Sequence, residues 1–194
     1  MTNPKVTESE ILESFADIVA RSLRLERQRV TADAYLSDLG AESLDLLEIT
    51  METEDEFAIL MPQKDILQVA QEIFGPGVLV HEGRLTEQGA VLLQRRMPEF
   101  GGSVVVGMSV AEVGRLFQRI GTWVRLIHGL IQHSPTACPS CAGPLPKPVA
   151  GRMRCQACAI EVDLPAGDDL NRRWVEEYHR VGHEVVSGEG AQVA

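Results

Sequence analysis

The four cysteines of the chain form two Cys-x-x-Cys pairs, Cys138/Cys141 and Cys155/Cys158, with residues 142–154 between them. Each short turn can aim two thiols at the same ion, and two such turns supply the four ligands of a tetrahedral site. Zinc is the metal that we expect in a structural all-sulfur site. Iron is the alternative, because the ligands alone do not exclude it.

Two other uses of the cysteines are disfavoured. Disulfides suit secreted domains, and the chain does not begin with the basic segment and apolar core of a signal peptide. A redox Cys-x-x-Cys normally stands alone beside a βαβ unit, which the sequence does not predict. The alternation from Ile160 to Leu164 predicts a strand, and the segment resembles a zinc ribbon. So small a module buries little core, which an ion would offset.

Ser43 stands where an extended run ends at Gly40 and a pattern of helical period begins. We expect this serine to be the helix N-cap, with its oxygen accepting an N–H group of the first turn. The same position would favour a phosphodiester on that oxygen, because the positive end of the helix dipole lies there. Ser43 can therefore be a plain cap or a modified side chain.

The stretch around this serine, LSDLGAESLDLLEI at 36–49, resembles the prosthetic-group attachment site of acyl carrier proteins. In that family a Gly-x-Asp-Ser-Leu-Asp/Glu run opens the second helix, and Glu42 replaces the usual Asp here. The resemblance implies that Ser43 carries 4′-phosphopantetheine, whose thiol holds acyl groups as thioesters. It implies a carrier and not an enzyme, serving a lipid, fatty acid or natural-product pathway. The implied partners are a phosphopantetheinyl transferase and acyl-loading, synthase or acyltransferase enzymes.

Charge is concentrated around the same stretch. The chain has a net charge of −10, and Asp33 to Phe57 contains nine acidic residues and no Lys or Arg. Such a surface attracts basic docking surfaces on partner enzymes and repels nucleic acid and membrane phosphates. The acids that we expect to meet partners are Glu42, Asp45, Glu48 and Glu52. No apolar run is long enough to cross a membrane, which predicts a cytoplasmic protein.

Helical periodicity predicts a mainly α fold: a four-helix acyl-carrier-like bundle with a helical insertion, plus a small β zinc ribbon and a C-terminal helix. A capping box at Thr7–Glu10 opens the first helix, which ends near Leu25. The other predicted helices are about 43–57, 65–74, 87–97 and 109–131. The predicted domains are a carrier at 7–131 with an insertion at about 64–108, a linker at 132–137, the ribbon with its helix at 138–183, and a disordered tail at 184–194.

A second reading treats the chain as an adaptor whose ribbon binds protein or nucleic acid. The segment from Cys138 to Leu164, however, has a net charge of only +1. Its basic residues are Lys147, Arg152 and Arg154, and its acidic residues are Glu161 and Asp163. Nucleic acid is therefore disfavoured as a partner. An enzyme is a third possibility, but the sequence has no nucleophile–base or phosphate-loop pattern that would indicate one.

Overall fold

The computed structural model of the chain describes residues 6–146 and 151–188, with side chains as far as Val181. It is mainly helical with two short hairpins, which confirms the predicted fold class. The α-helices are α1 (Glu8–Ser22), α2 (Ser43–Phe57), α3 (Ile66–Phe74), α4 (Glu87–Arg96), α5 (Val110–Leu116), α6 (Ile120–His133) and α7 (Gly167–Gly188). Short 3-10 turns cover Arg27–Arg29 and Pro98–Ser103. The strands are β1 (Val80–His81), β2 (Arg84–Leu85), β3 (Arg152–Arg154) and β4 (Glu161–Asp163).

Two compact units make up this structure, and each contains two separate stretches of chain. The first unit holds the residues up to Met61 together with Ala111–Ala166. The second unit holds Pro62–Val110, which covers the predicted insertion, together with the chain from Gly167 onward. The sequence predicts contiguous domains, whereas here the last helix belongs with residues that come some way before the ribbon.

The core of the first unit lies between α1, α2 and α6. The capping box of α1 forms as predicted, with the Thr7 N–H donating to the Glu10 carboxylate at 2.8 Å and the Glu10 N–H donating to Thr7 Oγ1 at 3.3 Å. Phe15 on α1 stacks on Trp123 of α6, with ring centroids 5.3 Å apart. Apolar burial of this kind is the main stabilising force of a helical bundle. The other fully buried side chains of this core include Ile11, Val19, Leu36, Ile49, Ile120 and Ile127.

The predicted helix at 109–131 is wrong in one respect, because it is broken between Leu116 and Ile120 into α5 and α6. The backbone of the break pairs with the loop that precedes α2 instead of continuing the helix. The Leu36 N–H donates to the Gln118 carbonyl at 2.9 Å, and the Ile120 N–H donates to the Ala34 carbonyl at 2.9 Å. Tertiary hydrogen bonds therefore replace the helical ones at this point.

The β3–β4 hairpin, which we call the ribbon hairpin, completes the first unit. Strands β3 and β4 pair antiparallel with Met153 opposite Val162. These two side chains and Leu164 form a small buried cluster, against which Leu60 and Leu145 pack. The predicted strand after the second cysteine pair is therefore present, with an apolar core of only a few residues.

In the second unit α3 packs on α7, and the β1–β2 hairpin leads into α4. Trp174 and Tyr178 of α7 stack at 5.5 Å, and Arg96 and Arg95 lie over their respective rings. The sequence predicts that these two aromatic residues cover the ribbon or the carrier. Their described contacts are with Phe74 of α3 and the two arginines of α4, all within the predicted insertion of the carrier and within the second unit.

The end of α7 also differs from the predicted stop near Gly182. Its backbone stays helical to Gly188. The rest of the predicted disordered tail, 189–194, lies outside the described residues. Among the described helices, none is both long and apolar enough to cross a membrane.

Candidate functional site: a displayed serine and a thiol cluster

Ser43 is the first residue of α2, and the N-cap is Glu42. The Glu42 N–H donates to Asp45 Oδ2 at 2.7 Å, so these two acids close the first turn. The prediction that Ser43 is the N-cap is therefore wrong by one position, because Glu42 has the extended backbone of a cap and Ser43 is already helical. The Ser43 hydroxyl therefore does not cap the helix, and the residue is exposed to solvent.

The loop before α2 fixes the position of this serine. Gly40 has φ +91°, a conformation that costs other residues energy, and it turns the chain into the helix. Arg115 of α5 donates two hydrogen bonds to the Asp38 carboxylate, at 2.8 and 3.0 Å, and lies 5.0 Å from the centre of the Tyr35 ring. The loop is thus tied to the α5–α6 region, which comes far later in the sequence.

An open depression of about 480 Å³ lies beside Ser43. Its wall combines apolar and polar side chains. The lining residues are Ser37, Ala41, Glu42, Ser43, Leu44, Leu46 and Gln118. The sequence gives no sign of Gln118, because tertiary contacts such as the hydrogen bond from the Leu36 N–H to the Gln118 carbonyl bring it to this place.

Helix α2 displays apolar side chains on its outer surface. Leu44 is 81% exposed, and Leu47 and Met51 are each 58% exposed. In this helix only Ile49 and Thr53 are fully buried. Three large apolar side chains at helical spacing, turned to water next to acids, are typical of an interaction surface and not of a core face.

The four predicted docking acids have different surroundings. Glu42 and Glu48 are exposed, while Asp45 is engaged in the first turn of the helix. Glu52 accepts a hydrogen bond from Arg21 of α1 at 2.5 Å. Their role in docking stays a prediction. Glu48 is the exposed acid of the four that takes no part in the capping box of α2 or in the contact with Arg21.

The four cysteine sulfurs lie within 4.8 Å of one another. The Cys138–Cys158 and Cys141–Cys155 sulfurs are 3.6 and 3.5 Å apart, too far for the ~2.05 Å of a disulfide bond. Zn–S bonds of ~2.3 Å in a tetrahedron place sulfurs ~3.8 Å apart, close to this spacing. The cluster could therefore hold a metal ion.

The two cysteine turns have the same local geometry. In each, the N–H four residues after the first cysteine donates to that cysteine's carbonyl, Ala142 to Cys138 at 2.8 Å and Ala159 to Cys155 at 2.9 Å. Both alanines have φ +57°, in the left-handed region that glycine adopts most easily. The turns are thus built by local hydrogen bonds, at the cost of some backbone strain.

The electrostatics of the cluster also favour a cation. Backbone N–H groups of Cys158 and Ala157 lower the pKa of the Cys155 thiol to about 6. The Gly143 N–H lowers the pKa of the Cys141 thiol, but hydrogen bonds to the other three sulfurs and desolvation together raise that pKa to about 12. Four thiols this close cannot all be thiolates unless a positive ion lies among them.

Residues 13–72 match a family model described as a phosphopantetheine attachment site. The match contains Ser43 and supports the resemblance to acyl carrier proteins. It covers less than a third of the chain and leaves out both α6 and the cysteine cluster. No solved structure matches the chain. The match supports a phosphopantetheine attachment site within residues 13–72, which include all of α2.

Proposed function

We propose that the chain is an acyl carrier protein that holds acyl intermediates as thioesters on 4′-phosphopantetheine attached to Ser43. The observation that carries the proposal is the family match around a serine whose hydroxyl is exposed and not used for capping. A transferase would form the bond between Ser43 Oγ and the phosphorus of phosphopantetheine from coenzyme A. The adenosine bisphosphate part would leave, and the hydroxyl proton would pass to a base of the transferase.

The outer surface of α2 supports docking of partner enzymes. Leu44, Leu47 and Met51 offer apolar contact area, and Glu42 and Glu48 offer negative charge beside it. A matching partner would have an apolar groove with basic residues at its edge. Acyl-loading enzymes, synthases and acyltransferases that use this carrier are expected to share that feature.

The carrier itself performs no acid–base chemistry in this proposal. Its contribution is a tether that raises the effective concentration of the acyl group at each partner. The depression beside Ser43 could hold the part of the phosphopantetheine group that is nearest to the serine. The long stretch between α2 and α5 favours a dedicated lipid or natural-product pathway over general fatty acid synthesis.

The deciding experiment is the intact mass of the protein after co-expression with a broad-specificity phosphopantetheinyl transferase. We expect the mass of one phosphopantetheine group to be added. Ser43→Ala should abolish the addition, and Ser37→Ala is the matched control, because Ser37 is an exposed serine on the same depression. No added mass, or equal addition to Ser43→Ala, would refute the proposal.

We further propose that the cysteine cluster binds one Zn²⁺ through Cys138, Cys141, Cys155 and Cys158, with iron as the alternative. The close approach of the four sulfurs, at the spacing that a tetrahedral ion requires, supports it. Zinc would stabilise the hairpin without taking part in acyl chemistry, because four thiolates fill its coordination sphere. Metal analysis of the purified chain should give one zinc per chain and the visible spectrum should lack iron–thiolate bands.

A further inference from the structure

The ribbon hairpin packs on the segment that leaves α2. Leu60, three residues after the end of that helix, contacts the cluster formed by Met153, Val162 and Leu164. Its backbone also forms a parallel β-bridge with Ala166. Leu60 therefore joins the helix that begins at Ser43 to the module that contains the four cysteines.

Gly151 makes room for this leucine. A Cβ added at Gly151 would lie 3.0 to 3.4 Å from three side-chain carbons of Leu60. The Gly151 carbonyl accepts a hydrogen bond from the Leu164 N–H at 2.9 Å, so this glycine belongs to the framework of the hairpin. A change in the conformation of the hairpin would thus alter the packing of Leu60 directly.

Leu60 is equally well fixed to the last turn of α2. The helix ends at Ala58 in a left-handed cap, and the Ile59 N–H then donates to the Glu54 carbonyl at 3.2 Å. The Met61 N–H donates to the Glu54 carboxylate at 2.8 Å. Ile59 and Met61 are buried on either side of Leu60, so the three residues cannot shift without disturbing the helix end.

We propose that metal binding by the cysteine cluster and order at the C-terminal end of α2 are coupled through Leu60. The apolar cluster of the hairpin is too small to hold its shape unaided, so loss of the ion removes the surface on which Leu60 rests. Because such coupling is reciprocal, Leu60 must in turn strengthen metal binding. The bound zinc would then stabilise the C-terminal end of α2. The inference rests on the proposed metal site and not on the modification of Ser43.

Hydrogen exchange of the full chain, with zinc and after its removal by a chelator, tests the coupling. We expect amides of residues 53–61 to exchange about tenfold faster without zinc, a typical size for coupling between two sites. Amides of α1 between Ile11 and Ala20 should change far less. Competition with a chromophoric chelator should show about tenfold weaker zinc binding by Leu60→Ala. Leu47→Ala is the matched control, because Leu47 is an exposed leucine of α2, the helix that Leu60 follows.

The outcomes separate this inference from the proposals before it. Zinc bound with unchanged exchange at 53–61 overturns the coupling alone, as does unweakened zinc binding by Leu60→Ala. A chain that binds no zinc refutes the metal site and the coupling together. Failure to modify Ser43 would leave the coupling intact. If Leu60→Ala does not fold, exchange in the unaltered chain still decides.

Discussion

Ser43 is held in place by residues that lie far along the chain, whereas the four cysteines are held by hydrogen bonds within two short turns. The loop before α2 is held by Gln118 and Arg115, which come after the Pro62–Val110 stretch in the sequence. The cysteine turns close on themselves, through Ala142 and Ala159. Damage to the bundle should therefore affect the serine more than the thiols, and loss of metal should do the reverse.

The largest expected effect is the loss of a metal ligand. Cys155→Ser should abolish stoichiometric zinc binding and the exchange protection of β3 and β4, because structural zinc contributes ~10 kcal/mol or more to folding of such modules. Zinc content and hydrogen exchange of residues 152–163 measure the result. Ser140→Ala, an exposed residue within the first turn, is the control. A variant that kept its zinc and its protected hairpin would show that the local turns suffice with three thiols.

The next effect is a cavity in the bundle. Phe15→Ala should lower the free energy of unfolding by ~3–5 kcal/mol, because this fully buried ring loses its stack on Trp123. Urea denaturation followed by circular dichroism measures the change. Leu44→Ala, which removes an exposed leucine, should stay within ~0.5 kcal/mol of the unaltered chain. Zinc affinity should fall much less than stability in Phe15→Ala, and an equal fall would erase the contrast between the two sites.

A smaller effect is expected at the turn before α2. Gly40→Ala should cost ~1–2 kcal/mol, because alanine resists the positive φ of this position. The rate of phosphopantetheine transfer should fall with it, since the turn sets the direction in which Ser43 is presented. Gly129→Ala is the control, because Gly129 lies in a helix with open space around its Cβ position. We expect that control to be neutral or stabilising.

The smallest effect sharpens the account of the cysteine turns. Ala142→Gly and Ala159→Gly should each stabilise the metal-bound chain by ~0.5–1 kcal/mol, because glycine relieves the left-handed backbone. Thermal unfolding with zinc present measures the gain. Ala157→Gly, between the cysteines of the second turn, should not be stabilising, since Ala157 has no positive φ. Equal effects at all three positions would mean that strain does not matter here.

Local patterns were enough to predict some parts of this molecule and not others. The Thr7 capping box and the strand after Cys158 depend on neighbours in sequence, and both form as predicted. The break before Ile120 depends on hydrogen bonds to Ala34 and Leu36, which no helical pattern reveals. The contacts of Trp174 and Tyr178 with α4 depend likewise on the grouping of distant segments. The sequence therefore offered the carrier as one of two partners for these rings but did not identify α4.

The serine site shows the same limit at finer scale. The motif predicts Ser43 as the attachment residue, and that stays a prediction. The N-cap was predicted one residue too late, because Glu42 and Ser43 can both begin a helix and the backbone conformation decides between them. Helical periodicity on α2 did not distinguish the buried apolar residue from the exposed ones. Leu44, Leu47 and Met51 face water because the neighbouring helices cover the opposite side, where Ile49 lies.

The stack of Phe15 on Trp123 has a consequence for the order in which the protein can be made. During synthesis α1 and α2 leave the ribosome well before α6. Phe15 therefore cannot stack on Trp123 until the whole Pro62–Val110 stretch has been added. Long-range closure of this kind is slow and leaves apolar surface open in the nascent chain. Any chaperone or transferase that meets the growing protein meets an unclosed bundle, with its serine already translated.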